Sequence, residues 1–467
     1  MALVRASSKL LLTLRISPSA RRLSALSFVP QLRASIPPSL PTIHIWSSAT
    51  RLSGIDVVGF DYDYTLCHYS EELQHLIYAM ARDYMVSKLR YPEGVSVLQY
   101  DPSFAIRGLT IDKQKGLLCK ISSHQKLSNT AVFRGRHRLS RNEVMELYGG
   151  SRHISVRDRD YNMEPLNDLF SVAHACLFAD VVQYMIDRDI EYEPIALVED
   201  VNQAITNVHL SGEMHKENSG KKSFLCTNSS FPYINAGLKY MLGDDWRELF
   251  DVVIVSARKP KFYTRQRSFR MLDIGHKQVQ WQAVRALHRG EVYTQGSVYQ
   301  LSKLTGWVGS RVLYIGDNLF SDLVEPSRAN GWRTGAIIRE LEDEMNVHRT
   351  PEYQRLAFQI SKIEELMRSI QNELRSEPVP QNHAFVDQLV NVHEALQTEM
   401  ENLVNVNFGS VFRADTYPSQ FAFLVQRYVD IYSARLENLL EYPSNHTFYP
   451  ERIAMPHEYP AEASRYD

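Results

Sequence analysis

Short apolar runs that each end in polar residues recur through the second half of the chain: SFLCTNSS, FDVVIVSARKP, SRVLYIGDN and WRTGAIIREL. Runs of this length, separated by stretches of helical spacing, predict parallel strands buried on both faces. GIDVVGFDYD, far upstream, has the same texture. Between them the pattern changes. Leu73, Ile77, Met80 and Tyr84 step by three and four, which predicts a helix. AIRGLTIDKQKGLLCKIS predicts two short strands around the polar turn Asp112 to Gly116. Residues 140 to 210 are mostly helical in spacing. Phe170, Ala173, Leu177, Val181, Val182 and Met185 form one stripe, and Val198, Val201, Ile205 and Val208 another.

The economical architecture is α/β: a Rossmann-like core of parallel strands with helices on both faces, built from residues 51–67 and 221–350. A second, α+β domain, 68–220, is inserted after its first strand. Leu356, Ile360, Ile363, Met367, Ile370 and Leu374 then step by four and three. Phe385, Leu389, Val392, Leu396 and Leu403 repeat the pattern after the Pro378–Pro380 break. An antiparallel helical hairpin over 351–408 is expected, either packed on the core or serving as a homo-oligomer interface. Residues 409–467 carry no long periodic signal and are expected to pack on the core.

The chain has 467 residues, more than one compact core holds, with 44% hydrophobic and 23% charged positions. A formal net charge of −2 gives no basic field for nucleic acid. Cys67, Cys119, Cys176 and Cys226 are scattered without CxxC or zinc spacing, as buried thiols of a reducing compartment are. Residues 1–50 contain no Asp or Glu, and Arg5, Lys9, Arg15, Arg21, Arg22 and Arg33 lie among many serines. That composition is expected of an organelle transit peptide. The mitochondrial matrix is preferred to a plastid, with a cytoplasmic protein as the remaining alternative. No later run reaches the roughly 18 apolar residues that a membrane-spanning helix needs, so no membrane partner is expected.

In an open parallel sheet, ligands bind beyond the carboxyl ends of the strands. Those ends carry Asp61 and Asp63, then Thr227, Asn228 and Ser229, then Lys259, then Asp317 and Asp322. Carboxylates converging on one point repel unless a cation joins them. Oxygen ligands without His or Cys favour Mg²⁺ shared with a substrate phosphate. Lys259 and the Thr227 hydroxyl would hold phosphate oxygens.

DYDYT, CTNS, ARKP and GDNLFSD, in this order, resemble the four motifs of the haloacid-dehalogenase-like (HAD-like) phosphohydrolases. GFDYDYTL, DPSFAIRGL, LFDVVIVSARKP, LYIGDNLFSDL, GWRTGAIIREL and FGSVFR further resemble the cytosolic purine 5′-nucleotidase family. Of its branches, the 5′-nucleotidase-domain-containing proteins look nearest, and the likeness runs from about residue 54 to about 452. The resemblance implies a Mg²⁺-dependent 5′-nucleotidase acting on nucleoside 5′-monophosphates. Asp61 would be the nucleophile, forming an aspartyl-phosphate, and Asp63 the general acid and base. The Asp61 carboxylate, the Asp63 backbone carbonyl and Asp317 would hold the cation. Asp322 would lie behind them, holding Lys259 or a coordinated water. Thr227, Asn228, Ser229 and Lys259 would bind and stabilise the phosphoryl group.

The likeness thins in the inserted domain. Where purine enzymes carry an Arg, an Asp and a Lys to read base and sugar, this chain has Asn202, Thr206 and His215. His209 matches, as a candidate substrate ligand or a packed histidine. The segment LSGEMHKENSGKKS is shorter than in those relatives. A phosphatase for a non-nucleotide ester, and a scaffold protein with little turnover, are therefore the alternatives.

Overall fold

The computed structural model describes residues 43–45, 50–67, 71–208, 222–276, 278–373, 380–443 and 445–450. It is a mixed α/β structure with thirteen α-helices among these residues and a ten-stranded main sheet. Seven parallel strands form the body of that sheet: β1 Val57–Phe60, β2 Lys222–Cys226, β3 Val252–Val255, β4 Val292–Gln295, β5 Val312–Gly316, β6 Arg333–Ile337 and β7 Ile431–Ser433. Their order is 7-6-5-1-2-3-4, every pairing parallel. The chain thus moves one way from β1 through β4, then returns to the other side of β1 for β5. The antiparallel strands Phe269–Asp273 and Gln278–Val279 extend the sheet beyond β4, and His44–Ile45 pairs with β7.

Alternation along each strand explains the continuous apolar runs. Leu225, Val253, Val255, Leu313 and Ile315 enter one core with Phe231, Ile234 and Leu238 of the helix Phe231–Leu242. Phe224, Cys226, Val252, Ile254 and Tyr314 enter the opposite core with Phe262, Leu301 and Trp332. Both faces are covered, so neither carries the polar alternation of a half-exposed sheet. Gly59 in β1 is required by this packing: a Cβ there would lie 2.2 Å from the Phe224 ring and 2.7 Å from the Tyr314 ring.

Between β1 and β2 the chain builds a second sheet of five antiparallel strands. Its order is His137–Arg138, Leu127–Arg134, Leu117–Ile121, Leu109–Asp112, Met163–Leu166. The expected pair around Asp112 to Gly116 is its centre, at Leu109–Asp112 and Leu117–Ile121. Helices α1 Glu71–Ser87, α2 Phe170–Asp187 and α3 Pro194–Val208 pack on one face of it, where Ala173, Leu177, Val181, Val182 and Met185 of the first expected stripe and Val198, Val201 and Ile205 of the second are buried. The strand Leu127–Arg134 was not expected, and Met163–Leu166 lies in a stretch read as helical.

Helices α4 Pro351–Glu373 and α5 Pro380–Asn402 lie against each other. Ion pairs Arg355–Glu399 and Glu364–His393 run in opposite senses along the two helices, which makes them antiparallel. Leu356 and Ile360 are buried, but Phe385 is 47% and Val392 49% exposed, so both leave the expected seam. Leu374 lies outside the described residues. After α5, the Lys120 ammonium of the five-stranded sheet donates to the main-chain carbonyls of Phe408 and Ser410. The C-terminal segment then supplies β7. The four cysteines are buried free thiols. No helix among the described residues is long and apolar enough to cross a membrane.

Part of the stretch 1–50 is folded. Ile43 is buried in the main core and His44–Ile45 is a sheet strand, so the folded part begins upstream of residue 51. Residues 1–42, and His209 and His215 with them, lie outside the described residues.

Candidate active site

The carboxyl ends of β1, β2 and β5 meet where the strand order reverses, and the polar residues of the apolar runs gather there. Asp61 extends the β1 ladder by one bond, its N–H donating to the Ile315 carbonyl at 2.9 Å. Asp317 follows the last residue of β5, and Asp322 lies in the π-helical turn Leu319–Val324 just after it. Oxygen atoms of Asp61, Asp317 and Asp322 lie within 4.8 Å of one another, and all three residues are buried. Gly316 makes the approach feasible, since a Cβ there would stand 2.3 Å from the Asp322 Cβ.

Lys259 answers two members of this cluster. Lys259 Nζ lies 2.8 Å from Asp61 Oδ1 and 2.6 Å from Asp322 Oδ1, with its side chain 1% exposed. It also donates to the Tyr314 hydroxyl at 3.0 Å, which in turn donates to the Cys226 carbonyl at 2.6 Å. Burial works against the Lys259 charge, yet Asp322 and Asp61 hold its pKa well above the ordinary lysine value. Burial, followed by Asp322 and Asp61, holds the Asp317 carboxyl far above the usual carboxylate range. Asp322 is pushed up to about 7 by burial and by Asp61, against the pull of Lys259. Three buried carboxylates face one ammonium, and the Arg107 guanidinium that also draws on Asp317 is paired with Glu340, so the cluster is short of positive charge. Their all-oxygen donor set fits a hard divalent cation.

Asp63 takes a different direction from Asp61. Strand β1 ends at Phe60, and Tyr64 has a left-handed φ of +51°, so the alternation of a strand does not continue through the motif. The Asp63 carboxylate accepts from Ser229 Oγ at 2.6 Å and from the Tyr233 hydroxyl at 3.1 Å, and it is not among the clustered carboxylates. Thr227 is buried, and its hydroxyl accepts from the Ser229 N–H at 3.1 Å. The Asn228 amide grips the main chain of Lys259: Oδ1 accepts from Lys259 N at 2.5 Å and Nδ2 donates to Lys259 O at 3.0 Å. Ser256 and Arg258, just before Lys259, have φ of +47° and +63°. Together with Tyr64, these are the unfavourable backbone states that tightly determined sites tolerate.

Several residues at the site were not picked out from the sequence. Tyr233 and Tyr314 read as ordinary members of a helix and a strand. Arg107 lies in DPSFAIRGL, where a lone arginine among apolar neighbours was the available signal. Its side chain is 0% exposed, and it donates to the Asp317 carbonyl and to Glu340.

The sequence model of the 5′ nucleotidase family matches residues 46–219 and 216–460. A 5′-nucleotidase domain-containing protein of Dictyostelium discoideum is 36% identical over 443 residues, spanning 88% of this chain and 74% of its own length. 5′-Nucleotidase domain-containing protein 2 of Rattus norvegicus and of Homo sapiens are each 36% identical over 439 residues. They span 88% of this chain and 78% and 84% of their own lengths. On these matches the chain belongs to the 5′ nucleotidase family of nucleotidase-type phosphatases.

Proposed function

We propose that the protein is a Mg²⁺-dependent phosphomonoesterase that hydrolyses nucleoside 5′-monophosphates through a phosphoryl group carried on Asp61. The observation that supports this reading most is the buried meeting of Asp61, Asp317 and Asp322 around Lys259. Asp61, Asp317 and the backbone carbonyl of Asp63 would hold Mg²⁺, with Asp322 behind them on Lys259. When bound, Mg²⁺ supplies the positive charge that lets carboxylates and phosphate oxygens share one site.

In the first step an Asp61 carboxylate oxygen attacks phosphorus. The bond from phosphorus to the 5′-oxygen breaks, and Asp63 gives its proton to that oxygen, releasing the nucleoside. In the second step Asp63 takes a proton from water as the water oxygen attacks phosphorus. Inorganic phosphate leaves and the Asp61 carboxylate is restored. Ser229 and Tyr233 keep Asp63 aimed for both steps by donating to its two oxygens. Lys259 neutralises the phosphoryl oxygens, Thr227 adds a hydroxyl, and Asn228 keeps Lys259 in place through its main chain.

The inserted unit, 68–220, would read the substrate. Asn202, which stands where purine enzymes carry an Arg, donates to Glu164 at 2.8 Å, so an altered base preference is part of the reading. His209 is retained as a candidate substrate ligand. The exposed Phe358, Leu366, Phe385 and Val392 on α4 and α5 support pairing of two copies through this region. Residues ahead of Ile43 would direct import into the mitochondrial matrix. The test is phosphate release by residues 43–467 from nucleoside 5′-monophosphates and from sugar phosphates, with Mg²⁺ and with chelator. Mg²⁺-dependent release that favours the nucleotides is expected. A preference for the sugar phosphates would overturn the substrate assignment.

A further inference from the structure

The loop that carries Asp317 and Asp322 is gripped by two residues from the segment between β1 and β2. Arg107 Nη1 donates to the Asp317 main-chain carbonyl at 3.2 Å, across 210 positions of sequence. Its other nitrogens fork onto Glu340, Nε to Oε1 at 3.0 Å and Nη2 to Oε2 at 2.5 Å, and its guanidinium lies 5.1 Å from the Phe421 ring centre. Burying a guanidinium is costly unless its donors are satisfied. Here one of them is spent on the backbone of a candidate cation ligand.

Asp168, at the start of α2, makes the second grip. Its Oδ1 accepts from the N–H and hydroxyl of Ser171, both at 2.8 Å, and its Oδ2 accepts from Asn318 Nδ2 at 3.1 Å. Asn318 is the hub of the loop. Its Oδ1 caps the N–H groups of Phe320 and Ser321 at 3.2 and 3.0 Å, its N–H donates to Asp322 Oδ2 at 3.3 Å, and its carbonyl accepts from the Asp322 N–H at 3.0 Å. Turning the Asn318 amide toward Asp168 therefore fixes the turn that presents Asp322.

We infer that Arg107 and Asp168 are positioning residues that hold the Asp317–Asp322 loop in its cation-binding form, linking the inserted unit to the cation site. This inference rests on the cation reading proposed above. Two carboxylates of the cluster sit on the gripped loop and only Asp61 lies outside it, so a slack loop loses the convergence the cation needs. Because the grips come from the unit proposed to read the substrate, substrate binding that shifts Arg107 or Asp168 and cation affinity are thermodynamically linked.

The test is Mg²⁺ titration by calorimetry on residues 43–467, using wild type, R107K, D168A and the control R136K. Arg136 joins Asp101 and Asp180 inside the inserted unit and touches no residue of the loop. R107K keeps the charge but cannot fork, and D168A removes the Asn318 and Ser171 bonds together with a negative charge that acts on Asp317, so R107K is the arm that separates positioning from charge. Weakening of Mg²⁺ binding by about 10- to 100-fold is expected for R107K and D168A. R136K should bind as wild type does even if its melting temperature falls. Folded R107K and D168A proteins with wild-type Mg²⁺ affinity would overturn the positioning role. Absence of binding by the wild type would instead overturn the cation reading on which it stands.

Discussion

Lys259 decides whether the three clustered aspartates can coexist without a cation. Its ammonium is the charge that meets Asp61 and Asp322, and all three side chains are out of water. Removing one partner from a buried charged set leaves the rest uncompensated, typically at about 3–5 kcal/mol. Lys259→Ala should therefore lower stability by that order in chelator, as read by urea unfolding. Added Mg²⁺ should restore part of it, because the carboxylates regain a counter-charge. Wild-type stability of the variant in chelator would show that the aspartates are not held by this lysine. Asp61, Lys259 and Asp317 were legible in the sequence as the polar ends of apolar runs, and Asp322 by its place in GDNLFSD. Their mutual arrangement was less so. That Asp63 turns to Ser229 and Tyr233 depends on contacts made 166 and 170 positions away and on the left-handed Tyr64, neither of which a two-residue offset encodes.

The elements divide by how much each one's own pattern says. Strands β1, β2, β3, β5 and β6 were readable because both faces are buried, which leaves unbroken apolar runs. Strand β4, VYTQ, and strand β7, IYS, mix few apolar residues with polar ones, so neither stands out as an apolar run. Leu127–Arg134, LSNTAVFR, mixes half-buried polar residues with apolar ones and reads as neither helix nor strand. The strand His44–Ile45 was hidden by the leader-like composition around it. Its pairing with β7, with Ile43 buried beside it, gives a direct expectation. Protein starting at residue 51 should melt below protein starting at residue 43, having lost the buried Ile43 side chain, about 1.5–3 kcal/mol, and an edge pairing. Equal melting temperatures by calorimetry would remove this strand from the fold's essential parts.

At the scale of the molecule, the candidate site sits where the strand order reverses and where the segment between β1 and β2 returns to the sheet. Lys120 on Phe408 and Ser410, Arg107 on Glu340 and Asp317, and Asp168 on Asn318 tie that segment to the rest of the chain. Such ties leave no signal in local hydrophobic pattern, which is why the residues that gather around Lys259 were legible as candidates and their supports were not. The central claim is that Asp61 carries the phosphoryl group during hydrolysis, and one measurement tests it most directly. Phosphate release from a nucleoside 5′-monophosphate would be followed at saturating Mg²⁺ for wild type and Asp61→Asn, with circular dichroism confirming that both are folded. Loss of a nucleophile that acts together with its acid partner should lower turnover by about 10³-fold or more. A folded Asp61→Asn protein that releases phosphate at close to the wild-type rate would contradict the claim.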